Sequence, residues 1–203
     1  MQTEVNSDTY KTIAAPAQGL FKDKGSRFIS YIYPVGSEEE VKKLVDAIKK
    51  EHHAARHHCY AYRLGFDGAV FRANDDGEPS SSAGRPILGA IDSAGLKDVL
   101  VVVVRYFGGI LLGVPGLINA YREASRDAIE NANIVEKTAC KRFEIVFSYF
   151  QMDQVQKYIK SSGFQVLGQN FDLECKMTLE VPLSRADAFV KAISEKVSYI
   201  STF

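Results

Sequence analysis

Apolar residues recur along this chain with two periods, one of about two residues, typical of strands, and one of about 3.6 residues, typical of helices. In the first two thirds of the sequence, the predicted elements in chain order are strands at 9–14 and 27–35, a helix from 37 to about 51, strands at 59–64 and 69–73, a helix at 86–93, a strand at 98–106 and a helix from about 115. Ser37 and Glu40 are predicted to form a capping box at the start of the first helix. The strand at 98–106 carries V-L-V-V-V-V and is therefore predicted to be buried on both faces.

A second series of elements follows a change in pattern near residues 133–138. It consists of strand 139–148, helix 151–162, strands 164–170 and 173–181, helix 185–195 and strand 197–202. The order βαββαβ is the ferredoxin-like arrangement. Gly163 is predicted to end the first of these helices, and Ser184 is predicted to cap the second. We therefore expect an α+β protein with two domains, at 1–136 and 137–203.

The charge balance limits the kind of partner that the chain can bind. Its 203 residues include 25 basic and 25 acidic side chains, so the formal net charge is zero. A basic field over the whole chain, which is usual in strong nucleic-acid binders, is therefore excluded. Any contact with nucleic acid would come from a local basic patch and would weaken with salt.

Cysteine usage and hydropathy predict a cytoplasmic protein. Cys59, Cys140 and Cys175 are odd in number and far apart, which argues against a disulfide framework and a zinc motif. The longest apolar run, at 99–104, is far shorter than the roughly 20 residues that span a bilayer. The polar residues 1–10 lack the pattern of a signal peptide. We expect neither a membrane partner nor a cofactor, and the oligomeric state stays open, a monomer being compatible with the pattern.

All four histidines lie in one segment, H-H-A-A-R-H-H, at positions 52, 53, 57 and 58. On a continuous helix, His53 and His57 would lie one turn apart and could bind a metal ion. Because a strand is predicted to begin at 59, the helix is expected to end between these two residues. We interpret the segment as a polar helix end, and no metal site is predicted.

Three carboxylates fall within four residues of the loop at 74–85, namely Asp75, Asp76 and Glu78. Together with His57, they could hold Mg²⁺ or perform acid–base chemistry. The alternative is a solvated turn. The serines at 80–82 and Arg85 could contact a phosphate at the start of the next helix. The sequence lacks the G-x-S-x-G motif, which argues against a serine hydrolase.

The candidate ligand-binding residues surround the end of the strand at 98–106. Arg105 supplies a charge, Tyr106 or Phe107 could stack on a base, and the glycines that follow let a ligand approach the backbone closely. The next helix would direct its N-terminal amides toward this turn, which favours an anion. The full candidate set is Arg105, Tyr106, Phe107, Gly108, Gly109, Gly116, Tyr60, Arg63 and Arg85. The alternative is a tightly packed glycine loop with its aromatic rings in the core.

Three motifs resemble the YigZ/IMPACT family: H-H-C-Y-A-Y-R at 57–63, D-D-G-E-P-S-S-S-A-G-R-P-I-L at 75–88 and V-V-V-R-Y-F-G-G-I-L-L-G-V-P-G-L-I-N-A-Y at 102–121. The resemblance implies a first domain with the left-handed βαβ fold of a ribosomal small-subunit protein and of a domain of the translocating elongation factor. It also implies a ferredoxin-like second domain, as in bacterial YigZ proteins. The chain departs from the family at Pro115 and Asn119, where glycine and a basic residue are usual, and at 80–82, where the usual motif is S-G-T-A-G.

The resemblance further implies a role around translation. Eukaryotic members regulate translation, and nucleic-acid binding is the usual proposal for bacterial members. The preferred hypothesis is a non-enzymatic factor that binds RNA or a ribosome-associated surface through the residues near Arg105. One alternative is a metal-dependent hydrolase that uses Asp75, Asp76 and Glu78, so enzymatic activity is left open. Another is an interaction protein that uses the exposed face of the second-domain sheet.

Overall fold

The computed structural model describes residues 8–202 and divides them into two compact units. One unit comprises Tyr10–Lys137, and the other comprises 138–202 together with 8–9. The prediction of a two-domain α+β protein is confirmed. The domain boundaries at 1–136 and 137–203 stay a prediction. In the described part of the chain, no helix is both long enough and apolar enough to cross a membrane.

The first unit is built on a five-stranded sheet with helices on both faces. Its elements are β1 (Thr9–Ile13), β2 (Ala17–Asp23), β3 (Ser26–Pro34), α1 (Glu38–Glu51), β4 (His57–Leu64), β5 (Val70–Asn74), α2 (Gly84–Ala94), β6 (Val99–Tyr106), α3 (Gly113–Glu130) and β7 (Ile134–Thr138). The strand order is β2-β3-β6-β4-β5 with antiparallel neighbours, while β1 and β7 form a separate two-stranded sheet. Helix α1 connects β3 to β4, which lie on either side of β6, and the left-handed sense of this βαβ connection stays a prediction.

Strand β6 lies at the centre of the large sheet, and its apolar residues are buried on both faces, as predicted. Val99, Val101 and Val103 belong to the core that the sheet forms with α2 and α3. The alternate residues, among them Leu100 and Val102, belong to a second core beneath α1. Because side chains alternate along a strand, a run of six apolar residues supplies both cores at once. This packing holds the end of β6 in a fixed position.

Two strands and one cap differ from the sequence prediction. Strands β2 and β7 were not predicted, because neither has a clear apolar alternation: β7 is largely exposed, and β2 has a single buried residue, which is a glycine. At the start of α1, Ser37 accepts a hydrogen bond from the N–H of Glu40 at 3.3 Å, as predicted. The Glu40 carboxylate, however, accepts from the N–H of Gly36 at 2.7 Å. The reciprocal half of the cap is therefore one residue earlier than a capping box requires.

The second unit has the strand order of a ferredoxin-like sheet. Its elements are β8 (Cys140–Phe147), a 3₁₀ turn (Tyr149–Gln151), α4 (Met152–Ser162), β9 (Gln165–Phe171), β10 (Cys175–Pro182), α5 (Leu183–Ile193) and β11 (Tyr199–Thr202). The order β11-β8-β10-β9 is antiparallel throughout, which confirms the βαββαβ prediction.

Helix ends in the second unit follow the sequence prediction at one position and depart from it at another. Gly163 ends α4 in the left-handed conformation, with φ of 69°, as predicted. The predicted cap of α5 by Ser184 is wrong, because the helix begins at Leu183. Instead, the carboxylate of Asp8 accepts the backbone N–H of Ser184 at 2.9 Å and its hydroxyl at 2.5 Å. A side chain 176 residues earlier therefore satisfies the helix start.

Candidate functional site

The guanidinium of Arg105, at the end of β6, forms a buried ion pair with Glu78. Its Nη1 lies 2.7 Å from Oε1 of Glu78, and the two side chains are 8% and 3% exposed. The hydroxyl of Tyr121, on α3, donates to the same carboxylate oxygen at 2.7 Å. The charge of Arg105 is thus already neutralised inside the protein, which differs from the expectation of a cation directed only at a ligand.

Neutral hydrogen-bonding groups extend this ion pair into the core. The thiol of Cys59 donates to the backbone oxygen of Asp75 at 3.0 Å and lies 3.3 Å from the hydroxyl of Tyr121. Burial raises the pKa of the Cys59 thiol and the pKa of the Tyr121 hydroxyl. Both groups therefore keep their protons at neutral pH and can act as donors. Glu78 is held by a cation on one side and by a neutral phenol on the other.

Aromatic rings surround the guanidinium of Arg105. The Cζ atom of Arg105 lies 5.6 Å from the ring centre of Phe28 and 5.8 Å from that of Phe107. These distances are within the range of cation–π attraction. The Nε of Arg105 is buried and has no hydrogen-bond partner among residues 8–202. Since the ring of Phe28 is fully buried whereas Phe107 is 58% exposed, Arg105 connects the core to an exposed ring.

Asp75, the first carboxylate of the acidic loop, is engaged by backbone donors. Its Oδ1 accepts the N–H groups of Ala83 and Gly84 at 3.0 and 2.8 Å, and its Oδ2 accepts the N–H of Ser81 at 2.8 Å. Because the first amides of a helix have no partner within the helix, Asp75 satisfies donors at the start of α2. Its position is therefore explained by folding of the loop, and its catalytic role stays a prediction.

Asp76 is likewise engaged by groups of the protein. Its carboxylate accepts the backbone N–H of His58 at 2.7 Å and pairs with Nζ of Lys49 at 3.0 Å, while its carbonyl oxygen lies 2.9 Å from Nδ1 of His57. Burial opposes the charged form, but the His58 N–H and the Lys49 ammonium together lower the pKa of Asp76 below its ordinary value. Asp76 therefore fixes the start of β4 and orients the ring of His57.

The lowered pKa of Asp76 predicts a contribution to stability that depends on pH. A carboxyl group whose pKa is lower in the folded state stabilises the protein above its unfolded-state pKa, and this contribution is lost as the pH falls through the folded-state pKa. Asp76→Asn is therefore expected to be less stable than the wild type at pH 7, with the difference shrinking as the pH falls below about 4. Urea unfolding at several pH values measures this difference.

The matched control for this prediction is Asp46→Asn, at an exposed position of α1. We expect its stability to follow that of the wild type across the same pH range. A constant difference between Asp76→Asn and the wild type from pH 7 to pH 3 would contradict the assignment.

The four histidines do not lie on one continuous helix. Helix α1 ends at Glu51, and His57 begins β4, so His53 and His57 lie on different elements. The two ring nitrogens of His52 face the hydroxyls of Tyr31 and Tyr106, at 2.6 and 2.9 Å. Among residues 8–202, no three His, Cys, Asp or Glu side chains are grouped as metal ligands. The helix end predicted from the sequence is confirmed.

An open cleft of about 650 Å³ lies beside the ion pair of Arg105 and Glu78. It is lined by residues 54–57 and by Arg105, Tyr106, Phe107 and Leu111. Phe107 is 58% exposed and Leu111 is 81% exposed, and Arg56 is also exposed. The cleft therefore combines an accessible aromatic ring, apolar surface and a free cationic side chain. Four of the residues proposed from the sequence, His57 and 105–107, converge there.

The glycines after β6 shape the loop beside the cleft. The backbone of Gly108 contacts Gly25 so closely that an added Cβ would lie 1.9 Å from the carbonyl carbon of Gly25. The N–H of Gly108 also donates to Oγ of Ser26 at 3.1 Å. Gly109 has φ of 89°, a region that other residues rarely adopt. Gly116 lies inside α3, which begins three residues earlier than its position, so it is not at the helix start.

Three of the proposed ligand-binding residues lie away from the cleft. Tyr60 packs against the core beneath α1. Arg63 forms an ion pair with Asp92 at 2.6 Å and donates to the carbonyl oxygen of Gly68 at 2.6 Å. Arg85 lines a groove between α2 and α3. The ligand-binding role of these residues stays a prediction, and they do not share one site with Arg105.

Sequence reasoning missed two prominent residues of the cleft. Arg56 lies inside the histidine segment, which was interpreted only through its possible metal ligands. Leu111 belongs to the run I-L-L after Gly109. An apolar run directly after two glycines and before a helix is a usable signal, because such a run is exposed unless a partner or ligand covers it. Arg56 offers no comparable signal by itself.

A five-stranded antiparallel sheet covered on both faces, followed by a ferredoxin-like unit, defines a class of two-domain α+β proteins. Residues 24–129 match the family model described as the Impact N-terminal domain, and residues 145–198 match a domain of unknown function (DUF1949). This chain belongs to the IMPACT family.

The relatives extend over most of this chain. The IMPACT family member YvyE of Bacillus subtilis is 31% identical over 187 residues, which are 92% of this chain and 86% of that protein. An IMPACT family member of Haemophilus influenzae is 36% identical and covers 86% of each chain. A crystal structure described as that of a hypothetical protein aligns with a TM-score of 0.70 and 27% identity, over 96% of each chain. The fold of this chain is therefore shared with a solved structure over almost its whole length.

Proposed function

We propose that this chain is a non-enzymatic factor that binds single-stranded RNA in the cleft formed by residues 54–57, 105–107 and Leu111. The observation that carries the proposal is the exposed ring of Phe107, which lines the same cleft as the exposed guanidinium of Arg56. Exposed aromatic rings beside basic groups are the usual platform for unpaired bases. Single-stranded RNA offers such bases together with phosphates.

The proposed roles of the residues follow from their surroundings. Phe107 would stack on a base, and the exposed guanidinium of Arg56 would contact a phosphate. Arg105 would act as a positioning residue, because its charge is paired with Glu78 while its guanidinium lies near the ring of Phe107. Since the net charge of the chain is zero, we expect weak binding that depends on salt.

The connection to translation is part of the same proposal. It rests on the resemblance to a family whose eukaryotic members regulate translation, and on a first domain that resembles a fold used by a ribosomal protein. An unpaired segment of ribosomal RNA would present the bases and phosphates that the cleft is proposed to bind. Membership of the IMPACT family supports this proposal without identifying the RNA.

A titration of a fluorescein-labelled oligouridine of about 15 nucleotides, followed by anisotropy, tests the proposal. We expect saturable binding whose log affinity falls by about 0.7 per contacted phosphate for each tenfold rise in salt. Arg56→Glu is expected to weaken binding about tenfold or more, because it replaces a phosphate contact by a repulsion. The matched control is Arg72→Glu, at an exposed arginine of β5 outside the cleft. Equal loss in both variants would contradict the proposed site.

No observation favours the hydrolase alternative, so we do not propose it. The carboxylate of Asp75 accepts hydrogen bonds from three backbone amides. The carboxylate of Asp76 accepts a hydrogen bond from the backbone N–H of His58 and pairs with Lys49, and Glu78 is paired with Arg105. Each carboxylate therefore has protein partners that explain its position.

A further inference from the structure

A second open groove lies between α2 and α3 and shares no lining residue with the RNA cleft. Its volume is about 740 Å³. The floor is apolar, with Ala90 and Ala94 on α2 and Ile118 and Ile129 on α3. Ala94 and Ile118 are half-buried and supply its accessible apolar surface, whereas Ala90 and Ile129 are buried in the core. Gly89, which has no atom within 4 Å of an added Cβ, leaves further space on the side of α2. The groove is therefore an open depression with an apolar floor, and side chains do not fill the space between the two helices.

The rims of this groove carry three arginines and one carboxylate, Glu130, so they are cationic on balance. Arg85 lies on the α2 side, and Arg122 and Arg126 lie one turn apart on α3. All three side chains are exposed. Arg126 pairs with Glu123 and Glu130 at 3.4 and 3.9 Å, which are long, exposed contacts of small energetic value. Arg85 and Arg122 have no hydrogen bond or ion pair among the residues that the structure describes.

We propose that the groove between α2 and α3 receives an acidic amphipathic helix of a partner protein. A helix with an apolar stripe would cover the floor, and carboxylates on its flanks would pair with Arg85 and Arg122. A helix of about 11 residues is roughly 16 Å long, which matches the 11 residues of α2, and a peptide of about 15 residues therefore covers the groove with about one turn to spare.

The chemistry of the groove favours a protein over a nucleic acid. No aromatic side chain lines it, so bases have no ring on which to stack. Phosphates alone would need only the arginines and would leave the apolar floor uncovered. A helix with leucine and glutamate side chains satisfies both the floor and the rims. This inference does not depend on RNA binding in the cleft, because the two sites use different residues.

The test uses the full chain and a fluorescein-labelled peptide of about 15 residues, made of leucine and glutamate, with leucine at helical spacing. Two comparison peptides have the same composition in scrambled order, or lysine in place of glutamate. We expect saturable anisotropy with the acidic amphipathic peptide, at least about tenfold weaker binding of the scrambled peptide, and no binding of the lysine peptide.

Variants of the chain locate the site. Arg85→Glu combined with Arg122→Glu is expected to weaken peptide binding at least about tenfold, while the oligouridine affinity stays unchanged. Lys42→Glu combined with Lys43→Glu makes the same charge change on exposed positions of α1 and is expected to leave peptide binding intact. Circular dichroism confirms that each variant is folded.

Three outcomes would overturn this inference. The first is absence of saturable binding up to about 1 mM peptide. The second is equal loss of affinity in the α1 variant and in the groove variant. The third is loss of oligouridine binding in the groove variant with peptide binding retained, which would identify the groove as a nucleic-acid surface.

Discussion

Arg105→Ala is expected to destabilise the protein by about 3–5 kcal/mol, because Glu78 would keep a buried charge without its cationic partner. The side chains of this pair are only 8% and 3% exposed, so solvent would screen the orphaned carboxylate little. Tyr121 would remain as a single neutral donor to it. Urea unfolding followed by circular dichroism measures the loss as a lower midpoint.

A double variant separates the orphaned charge from lost packing. Arg105→Met removes the cation but keeps much of the side-chain volume, and it is expected to be strongly destabilising. Adding Glu78→Gln removes the orphaned negative charge and leaves an oxygen that can accept from Tyr121. The double variant should therefore be more stable than Arg105→Met alone. If Arg105→Met alone costs less than about 1 kcal/mol, the pair is not a buried stabilising contact.

Gly108→Ala is expected to destabilise the protein by about 3 kcal/mol or more, because no space exists for a methyl group. The added Cβ would lie 1.9 Å from the carbonyl carbon of Gly25 and 2.1 Å from the backbone nitrogen of Ser26. Both contacts are with backbone, which no side-chain rotation can relieve. Relief would require separation of the loop from the β2–β3 turn and loss of the hydrogen bond to Ser26. Thermal unfolding measures the effect.

Gly89→Ala is the control, because it is expected to change the stability in the opposite direction. Gly89 lies within α2 and has no atom within 4 Å of an added Cβ. Alanine there is expected to stabilise by up to about 1 kcal/mol, since glycine is the weaker helix former. If Gly108→Ala were as stable as the wild type, the close contact between these two backbone segments would be contradicted.

The regular elements with strong periodicity could be predicted from the sequence. The apolar run of β6 is fully buried on both faces, and the βαββαβ order of the second unit is confirmed. In both cases, burial of one or two faces of an element requires apolar residues at regular spacing, and this spacing is visible in the sequence. Strands β2 and β7 were not predicted, because strands with so few buried residues do not require that alternation.

The candidate site could be predicted only in part, because its contacts join distant residues. The sequence singled out Arg105 and the acidic loop separately, but nothing local indicates that Arg105 pairs with Glu78, 27 residues earlier. In the same way, Arg85 lines the same groove as Arg122 of another helix, and Arg63 is paired with Asp92. Tertiary packing decides which arginines form ion pairs and which do not. No sequence spacing indicates this, because the partners lie far apart along the chain.

The most direct test of RNA binding in the cleft compares two phenylalanine variants in the same oligouridine titration. Phe107 and Phe71 are 58% and 56% exposed, and each ring lies within 6 Å of an arginine Cζ, but only Phe107 lines the cleft. We expect Phe107→Ala to weaken binding at least about fivefold, because a base stacked on a ring contributes about 1–3 kcal/mol. Phe71→Ala should bind like the wild type. Unchanged affinity in Phe107→Ala, with both variants folded, would contradict the account.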